Sequence, residues 1–97
     1  MKIVVLPRNI SYPLRDEWST EDIIKATEFY FAVEQLYTSK IERSVFLDKY
    51  ADFIETVPMK MTQKQLDREF YQLSGLSIYH AVQFAQKNKK RYLHLEI

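Results

Sequence analysis

The chain has 97 residues, a net charge of +1, one glycine, three prolines and no cysteine. The missing cysteines exclude disulfides and thiolate-bound metals, and the single glycine excludes a glycine-rich phosphate-binding loop. No apolar run exceeds five residues, far short of the roughly 20 that span a membrane. We therefore predict a cytoplasmic protein with one domain over residues 1–97, whose helical core covers about 11–90, with terminal extensions at 1–10 and 91–97.

The clearest local signal is a helix start after Trp18. Ser19 at the N-cap with Asp22 at the third helical position predicts a capping box, and Trp18 with Ile23 is spaced for a hydrophobic staple. The helix is predicted over residues 20–38. Because apolar side chains cover most of its circumference, it should be the central element. Its predicted solvent face is Lys25, Glu28, Ala32 and Gln35.

Three more helices are predicted, over residues 42–57, 63–73 and 78–90. Pro58 ends the second helix, and Thr62 with Gln65 predicts a capping box at the start of the third. Gly75 suits a left-handed residue after the third helix, and Ser77 suits the N-cap of the fourth. The predicted fold is all-α, a compact array of four helices around helix 1.

The two ends of the chain favour short strands. Residues 2–6 are rich in β-branched side chains, and residues 92–97 alternate between apolar and polar. Such short segments are unstable alone. They are predicted to pair with each other or with the same segments of a second copy.

These landmarks together resemble a known family. They are Tyr12-Pro13-Leu14, Trp18-Ser19-Thr20-Glu21, Ala32-Val33-Glu34, Glu42-Arg43, Val57-Pro58, and Glu69-Phe70 through Ser74-Gly75 to Tyr79. Their spacing over about residues 11–87 is similar to that of the YktA-like proteins of low-GC Gram-positive bacteria, uncharacterised protein family 0223. The resemblance implies a compact four-helix array and assigns no activity. Arg15 departs from the family pattern, in which an acidic residue is usual.

One charged residue interrupts the apolar face of helix 1. A carboxylate at Glu34 would be costly to bury without a partner. Arg43, nine residues on and across a tight turn, is the predicted partner in a structural ion pair, because its planar fork can meet a carboxylate with two hydrogen bonds. The hydroxyl of Tyr12 or Tyr50 is the alternative partner.

Catalytic and metal-binding patterns are weak. His80 and His94 fall on different elements, and the acidic cluster at residues 16–22 is more typical of a helix start than of a cation site. We predict no catalytic residue, no cofactor and no metal, and therefore a non-enzymatic protein.

Helices 3 and 4 resemble a helix-turn-helix, with Gly75 in the turn and Ser77 before the second helix. A nucleic-acid face would then consist of His80, Gln83, Lys87 and Lys90. The bulky Tyr71, four residues before Gly75, argues against the tight helix crossing of that motif. A DNA-binding regulator is the alternative function.

The leading interpretation is an interaction or assembly protein that binds another protein or itself. Four aromatic residues fall outside the tightest apolar stripes of their helices: Phe31, Tyr71, Tyr79 and Phe84. Either the fold buries them, or they form an apolar patch of the kind that marks a partner surface.

Overall fold

The structure is a computed structural model that describes residues 12–96. Within this range the chain forms four helices and two short strands. They are α1 (Thr20–Thr38), β1 (Ile41–Glu42), α2 (Arg43–Thr56), α3 (Lys60–Ser74), α4 (Ile78–Lys87) and β2 (Tyr92–Leu93). The prediction of a mainly helical fold with four helices is confirmed, and the bounds of α1 agree with the predicted ones.

Local chemistry fixes the start of α1. The Ser19 hydroxyl accepts a hydrogen bond from the Asp22 backbone N–H at 3.1 Å. In return, the Asp22 carboxylate accepts one from the Ser19 backbone N–H at 3.2 Å. The capping box is confirmed, and Trp18 before it is half-buried against the core. Two of the first free N–H groups of α1 are thus satisfied without tertiary contacts.

An aromatic cluster forms the centre of the core. Phe29 of α1 stacks on Phe53 of α2 with ring centroids 4.7 Å apart. Its neighbour Tyr30 stacks on Phe70 of α3 at 5.2 Å. Burial raises the pKa of the Tyr30 phenol, so its hydroxyl stays protonated and donates to the Pro13 carbonyl oxygen at 2.9 Å. Helix α1 therefore joins α2, α3 and the N-terminal turn, as expected of a central element.

The exposed face of α1 differs from the predicted one. Ala32, which was placed in the solvent face, is buried, whereas Ile24 and Phe31 are 49% and 53% exposed. Cross-helix ion pairs Lys25–Glu55 and Lys49–Glu28 join the sides of α1 and α2. The apolar content of α1 is so high that the hydrophobic pattern alone could not show which side remained in solvent.

Two predicted helix ends are wrong. Helix α3 begins at Lys60 rather than at residue 63; Pro58 fixes the backbone just before it, and the Gln63 side chain donates to the Val57 carbonyl oxygen. Thr62 is therefore inside the helix and not its cap. Helix α4 ends at Lys87 rather than at residue 90, because the Asn88 side chain donates to the Phe84 carbonyl oxygen and closes the last turn.

A short sheet joins the link after α1 to the end of the chain. Strands β1 and β2 pair antiparallel, with Ile41 opposite Leu93 and Glu42 opposite Tyr92. The C-terminal strand was predicted, but β1 was not, and Glu42 was placed at the start of the second helix. The strand predicted at residues 2–6 lies outside the described residues. Because β2 pairs within the chain, this strand needs no second copy.

A bidentate ion pair holds the N-terminal turn on α3. The two terminal nitrogens of Arg15 donate to the two carboxylate oxygens of Glu69 at 2.9 and 2.8 Å. The Arg15 hydrogen bond is the main reason why the pKa of Glu69 lies below its ordinary value of 4.5. The basic residue that departs from the family pattern therefore has a defined structural role.

Arg15→Ala is expected to reduce the free energy of unfolding by about 0.5–1 kcal/mol near neutral pH, because the pair is partly exposed. A carboxyl whose pKa is lowered on folding stabilises the protein above its unfolded pKa. The difference in free energy of unfolding between wild type and the variant should therefore be fully present above about pH 5. It should disappear as the pH falls through the folded pKa of Glu69. Urea titrations between neutral and acidic pH measure this. Glu69→Gln should remove the same pH-dependent part of the stability. A loss of stability in Arg15→Ala that does not change with pH would contradict the assigned ion pair.

Candidate functional site

A groove open to solvent lies where α2, α3 and α4 meet. Gly75, in the left-handed conformation with φ 78°, ends α3, and α4 begins three residues later. Ser77 then caps α4 by accepting from the His80 N–H. The groove is lined by Tyr50, Phe53, Ile54, Lys60, Gln63, Lys64, Asp67, Ile78, Tyr79, Val82, Gln83 and Gln86.

The floor of the groove is apolar. It consists of Tyr50, Phe53 and Ile54 from α2 and Ile78 and Val82 from α4. Its cavity volume is about 270 Å³, slightly below the range of about 300–1,000 Å³ found for pockets that bury whole small ligands. The groove is therefore suited to a few apolar side chains of a docked segment.

Hydrogen bonds fix two side chains at the rim of the groove, Tyr79 of α4 and Asp67 of α3. The Gln83 amide donates to the Tyr79 hydroxyl at 2.7 Å, which holds the Tyr79 ring at the edge of the groove. The Asp67 carboxylate accepts from the backbone N–H groups of Ile78 at 2.9 Å and Tyr79 at 3.3 Å. Asp67 therefore neutralises the N-terminus of α4, a favourable position for a carboxylate.

The α3 side of the groove is basic. Lys60 and Lys64 are exposed and line the groove one helical turn apart. Within residues 12–96 neither lysine is in an ion pair. The groove thus has an apolar floor, an α3 side with two lysines and the Asp67 carboxylate, and an opposite side that ends in glutamines.

Two more open hollows adjoin the turn between α3 and α4. Tyr71, Ser77 and His80 line both of them. Tyr37 closes one hollow, where its hydroxyl donates to the Ser77 carbonyl oxygen at 2.8 Å. Burial raises the pKa of Tyr37, so this donor stays protonated. Few apolar side chains line the hollows, which makes them weaker candidates than the groove.

The structure does not bring the four candidate partner residues together. Tyr79 lines the groove and Tyr71 lines only the hollows. Phe31 is exposed on α1, whereas Phe84 is half-buried against the core. Of the predicted partner surface, Tyr79 alone lies in the groove.

The candidate nucleic-acid residues also separate. Gln83 lies in the groove, and His80 lines the hollows. Lys87 is the last residue of α4, so Lys90 lies beyond the helix. A recognition helix would present such residues along one face, and α4 is too short to include all four.

The predicted ion pair between Glu34 and Arg43 is wrong. Glu34 is 3% exposed and accepts a hydrogen bond from the Tyr12 hydroxyl at 2.8 Å, so the alternative partner is confirmed. Arg43 instead donates to the carbonyl oxygens of Ala85 at 2.7 Å and Gln86 at 3.4 Å. The last carbonyl groups of a helix attract a cation, and here they outcompete the carboxylate.

Among residues 12–96, no three histidine, aspartate or glutamate side chains are grouped closely enough to hold a metal ion. His94 is exposed, and a ring nitrogen lies 3.1 Å from the Tyr37 carbonyl oxygen. No described helix combines the length and the hydropathy needed to cross a membrane. Within residues 12–96 the groove is the feature with the best-defined chemistry.

Sequence reasoning missed the groove because three separate helices build it. One signal was present: Lys60, Lys64 and Arg68 recur at every fourth position of the third helix. This spacing places three cations on one helix face. Reading α3 as starting at residue 63 excluded Lys60 from that face.

Comparison with known proteins gives a consistent answer. The chain matches the model of Uncharacterised protein family (UPF0223) over residues 9–94. It is 41% identical to a UPF0223 protein of Lactococcus lactis subsp. cremoris, covering 91% of this chain and 95% of the relative. It is 42% identical to a UPF0223 protein of Streptococcus agalactiae serotype V, covering 94% and 98%. The chain therefore belongs to Uncharacterised protein family (UPF0223).

Proposed function

We propose that the chain is a small, non-enzymatic protein-interaction module of the cytoplasm that binds a helical segment of a partner protein. The observation that carries the proposal is the groove between α2, α3 and α4. Its floor is apolar and its sides are polar, and Tyr50 and Ile54 of the floor remain partly exposed. Open apolar surfaces rimmed by polar residues are typical of partner sites.

The dimensions of the groove suit a helix. Its lining on α3 runs from Lys60 to Asp67, about two turns or roughly 10 Å of helix. An amphipathic helix presents apolar side chains at positions i, i+3, i+4 and i+7 over that length. Such a segment would place its apolar face on Tyr50 and Ile54, while its polar face stayed in solvent.

A helix-turn-helix DNA-binding regulator is the alternative function. The turn at Gly75 and the cap at Ser77 suit it. The Asp67 carboxylate, however, occupies the N-terminus of α4, the part of a recognition helix that contacts bases. A negative charge there opposes the approach of phosphates. Gel-shift assays with duplex DNA at two salt concentrations test the alternative, because phosphate contacts give a steep salt dependence.

The direct test uses a neutral amphipathic peptide of about four helical turns, with leucines at i, i+3, i+4 and i+7 and glutamines elsewhere. Titrated into isotopically labelled protein, it should shift the backbone amide signals of groove residues and saturate. Tyr79→Ala should weaken binding by about fivefold, because a half-exposed aromatic at the edge is a contact residue. Tyr71→Ala is the matched control.

Tyr71 and Tyr79 have the same exposed fraction, 58%, but only Tyr79 lines the groove. The control variant should therefore bind the peptide like wild type. Equal weakening by both substitutions would move the site to the hollows beside Tyr71. Titration without any saturable shift would contradict the proposed function.

A further inference from the structure

Three basic residues form a continuous row on α3. Lys60, Lys64 and Arg68 are each one turn apart and all exposed; together they are called the basic stripe. Lys60 and Lys64 line the groove, and Lys64 and Arg68 line an adjoining hollow. Like charges four residues apart destabilise an isolated helix. The stripe therefore lowers the stability of α3 unless an anionic group lies beside it.

The carboxylates of the described chain beside the stripe compensate its charge only in part, because other groups already bind them. Asp67 lies on the same helix, but both of its oxygens accept from the N-terminus of α4. Glu69 is bound by Arg15 through both of its oxygens. None of the three stripe residues is in an ion pair in the described chain. Residues 58–97 carry seven basic and three acidic side chains, which reinforces the imbalance.

Resting on the proposed function, we infer that the partner helix is acidic along one flank, which pairs with the basic stripe while its apolar face fills the groove. The charge distribution around the groove supports an asymmetric partner. Lysines line the α3 side, whereas Gln83 and Gln86 line the α4 side. A carboxylate flank therefore gains from facing α3 and gains little from facing α4, which sets the rotation of the docked helix about its axis.

The same stripe would attract a phosphate backbone, but the rest of the groove favours a peptide. The floor of the groove is apolar, with Tyr50 and Ile54 partly exposed, and a nucleic-acid backbone has no apolar group to bury there. Asp67 also places a carboxylate between Lys64 and Arg68 along the helix. A partner helix can place separate carboxylates opposite the lysines and an uncharged residue opposite Asp67.

The experiment compares three labelled peptides with the same leucine positions, whose flanks carry glutamine, glutamate or lysine. Fluorescence anisotropy with the full chain gives Kd at about 50 and 300 mM salt. The glutamate peptide should bind about tenfold more tightly than the glutamine peptide at low salt, equivalent to two partly exposed ion pairs. The lysine peptide should bind most weakly, and the differences should shrink at high salt.

Charge reversal provides the decisive variants. Lys60→Glu with Lys64→Glu should reverse the preference, so that the lysine peptide binds more tightly than the glutamate peptide. Lys87→Glu with Lys89→Glu makes the same change in net charge at exposed positions outside the groove, and it should leave the order of the three peptides unchanged. A reversal by both double variants would mean that net charge alone controls binding.

The outcomes separate the two proposals. If glutamine and glutamate peptides bind equally, the acidic flank is wrong while the interaction groove stands. If none of the peptides binds, both proposals fail. If a short duplex DNA displaces the glutamate peptide and binds more tightly than it does, the stripe is a nucleic-acid contact and the inference is overturned.

Discussion

Phe29→Ala is expected to lower the free energy of unfolding by about 3–5 kcal/mol, a large part of the stability of a domain of this size. Phe29 is completely buried and contacts four other rings. The substitution would leave a cavity at the junction of α1 and α2, and surrounding aromatic side chains cannot relax easily to fill it. Urea denaturation of wild type and variant measures the difference.

Phe31→Ala is the matched control, because it makes the same chemical change two residues away on the same helix. The Phe31 side chain is 53% exposed, so its loss should change stability by less than about 0.5 kcal/mol. If Phe29→Ala does not fold, Phe29→Leu, with its smaller loss of stability, can be compared with Phe31→Ala instead. Equal losses for Phe29→Ala and Phe31→Ala would mean that the assigned faces of α1 are wrong.

The parts of the fold that were predicted correctly are those that local chemistry determines. Ser19 and Asp22 cap each other across three residues, and Gly75 adopts the left-handed conformation that ends α3. Neither feature requires a tertiary partner. Their residue types and spacing are therefore readable before the fold is known.

The wrong predictions concern features that residues distant in the sequence determine. Strand β1 exists because Ile41 and Glu42 pair with Leu93 and Tyr92, about fifty positions along the chain. Two residues are too few to show a strand pattern. Arg43 was expected to pair with Glu34, but α4 brings the Ala85 carbonyl oxygen to its side chain instead. The sequence contains no local trace of that approach.

The candidate site shows the same limit. Tyr71 and Tyr79 are equivalent as sequence features and equally exposed, yet one lines the groove and the other does not. The meeting of α2, α3 and α4 at the groove makes that distinction. The sequence pattern predicted that both tyrosines could be exposed. Only the packing of three helices determines that Tyr79 lines the groove.

Substitutions of Tyr12 and Glu34 are expected to have strongly coupled effects on the free energy of unfolding. Glu34 lies buried on α1, and the Tyr12 hydroxyl donates to one of its carboxylate oxygens at 2.8 Å. Within the described chain the second oxygen has no hydrogen-bond partner. Removing a donor from a buried charged acceptor exposes the full cost of its desolvation. Tyr12→Phe should therefore lower the free energy of unfolding by about 1.5–3 kcal/mol.

Removing the charge should relieve most of this cost. Glu34→Leu replaces a buried carboxylate by an apolar side chain of similar size, a change that is often neutral or stabilising. In the Glu34→Leu background, Tyr12→Phe should then cost less than about 1 kcal/mol, because no buried carboxylate loses its donor. The double variant should be more stable than Tyr12→Phe alone. Urea midpoints of the four proteins give the coupling free energy.

Strict additivity of the two substitutions would contradict this interpretation, since residues that share a hydrogen bond do not act independently. Tyr50→Phe is a useful control, because Tyr50 is also half-buried against the core and was the other tyrosine considered as a partner. Tyr50→Phe should lower the free energy of unfolding by the same amount in the wild-type and Glu34→Leu backgrounds. A coupling found with Tyr12 and absent with Tyr50 would establish that one hydroxyl compensates the one buried charge of α1.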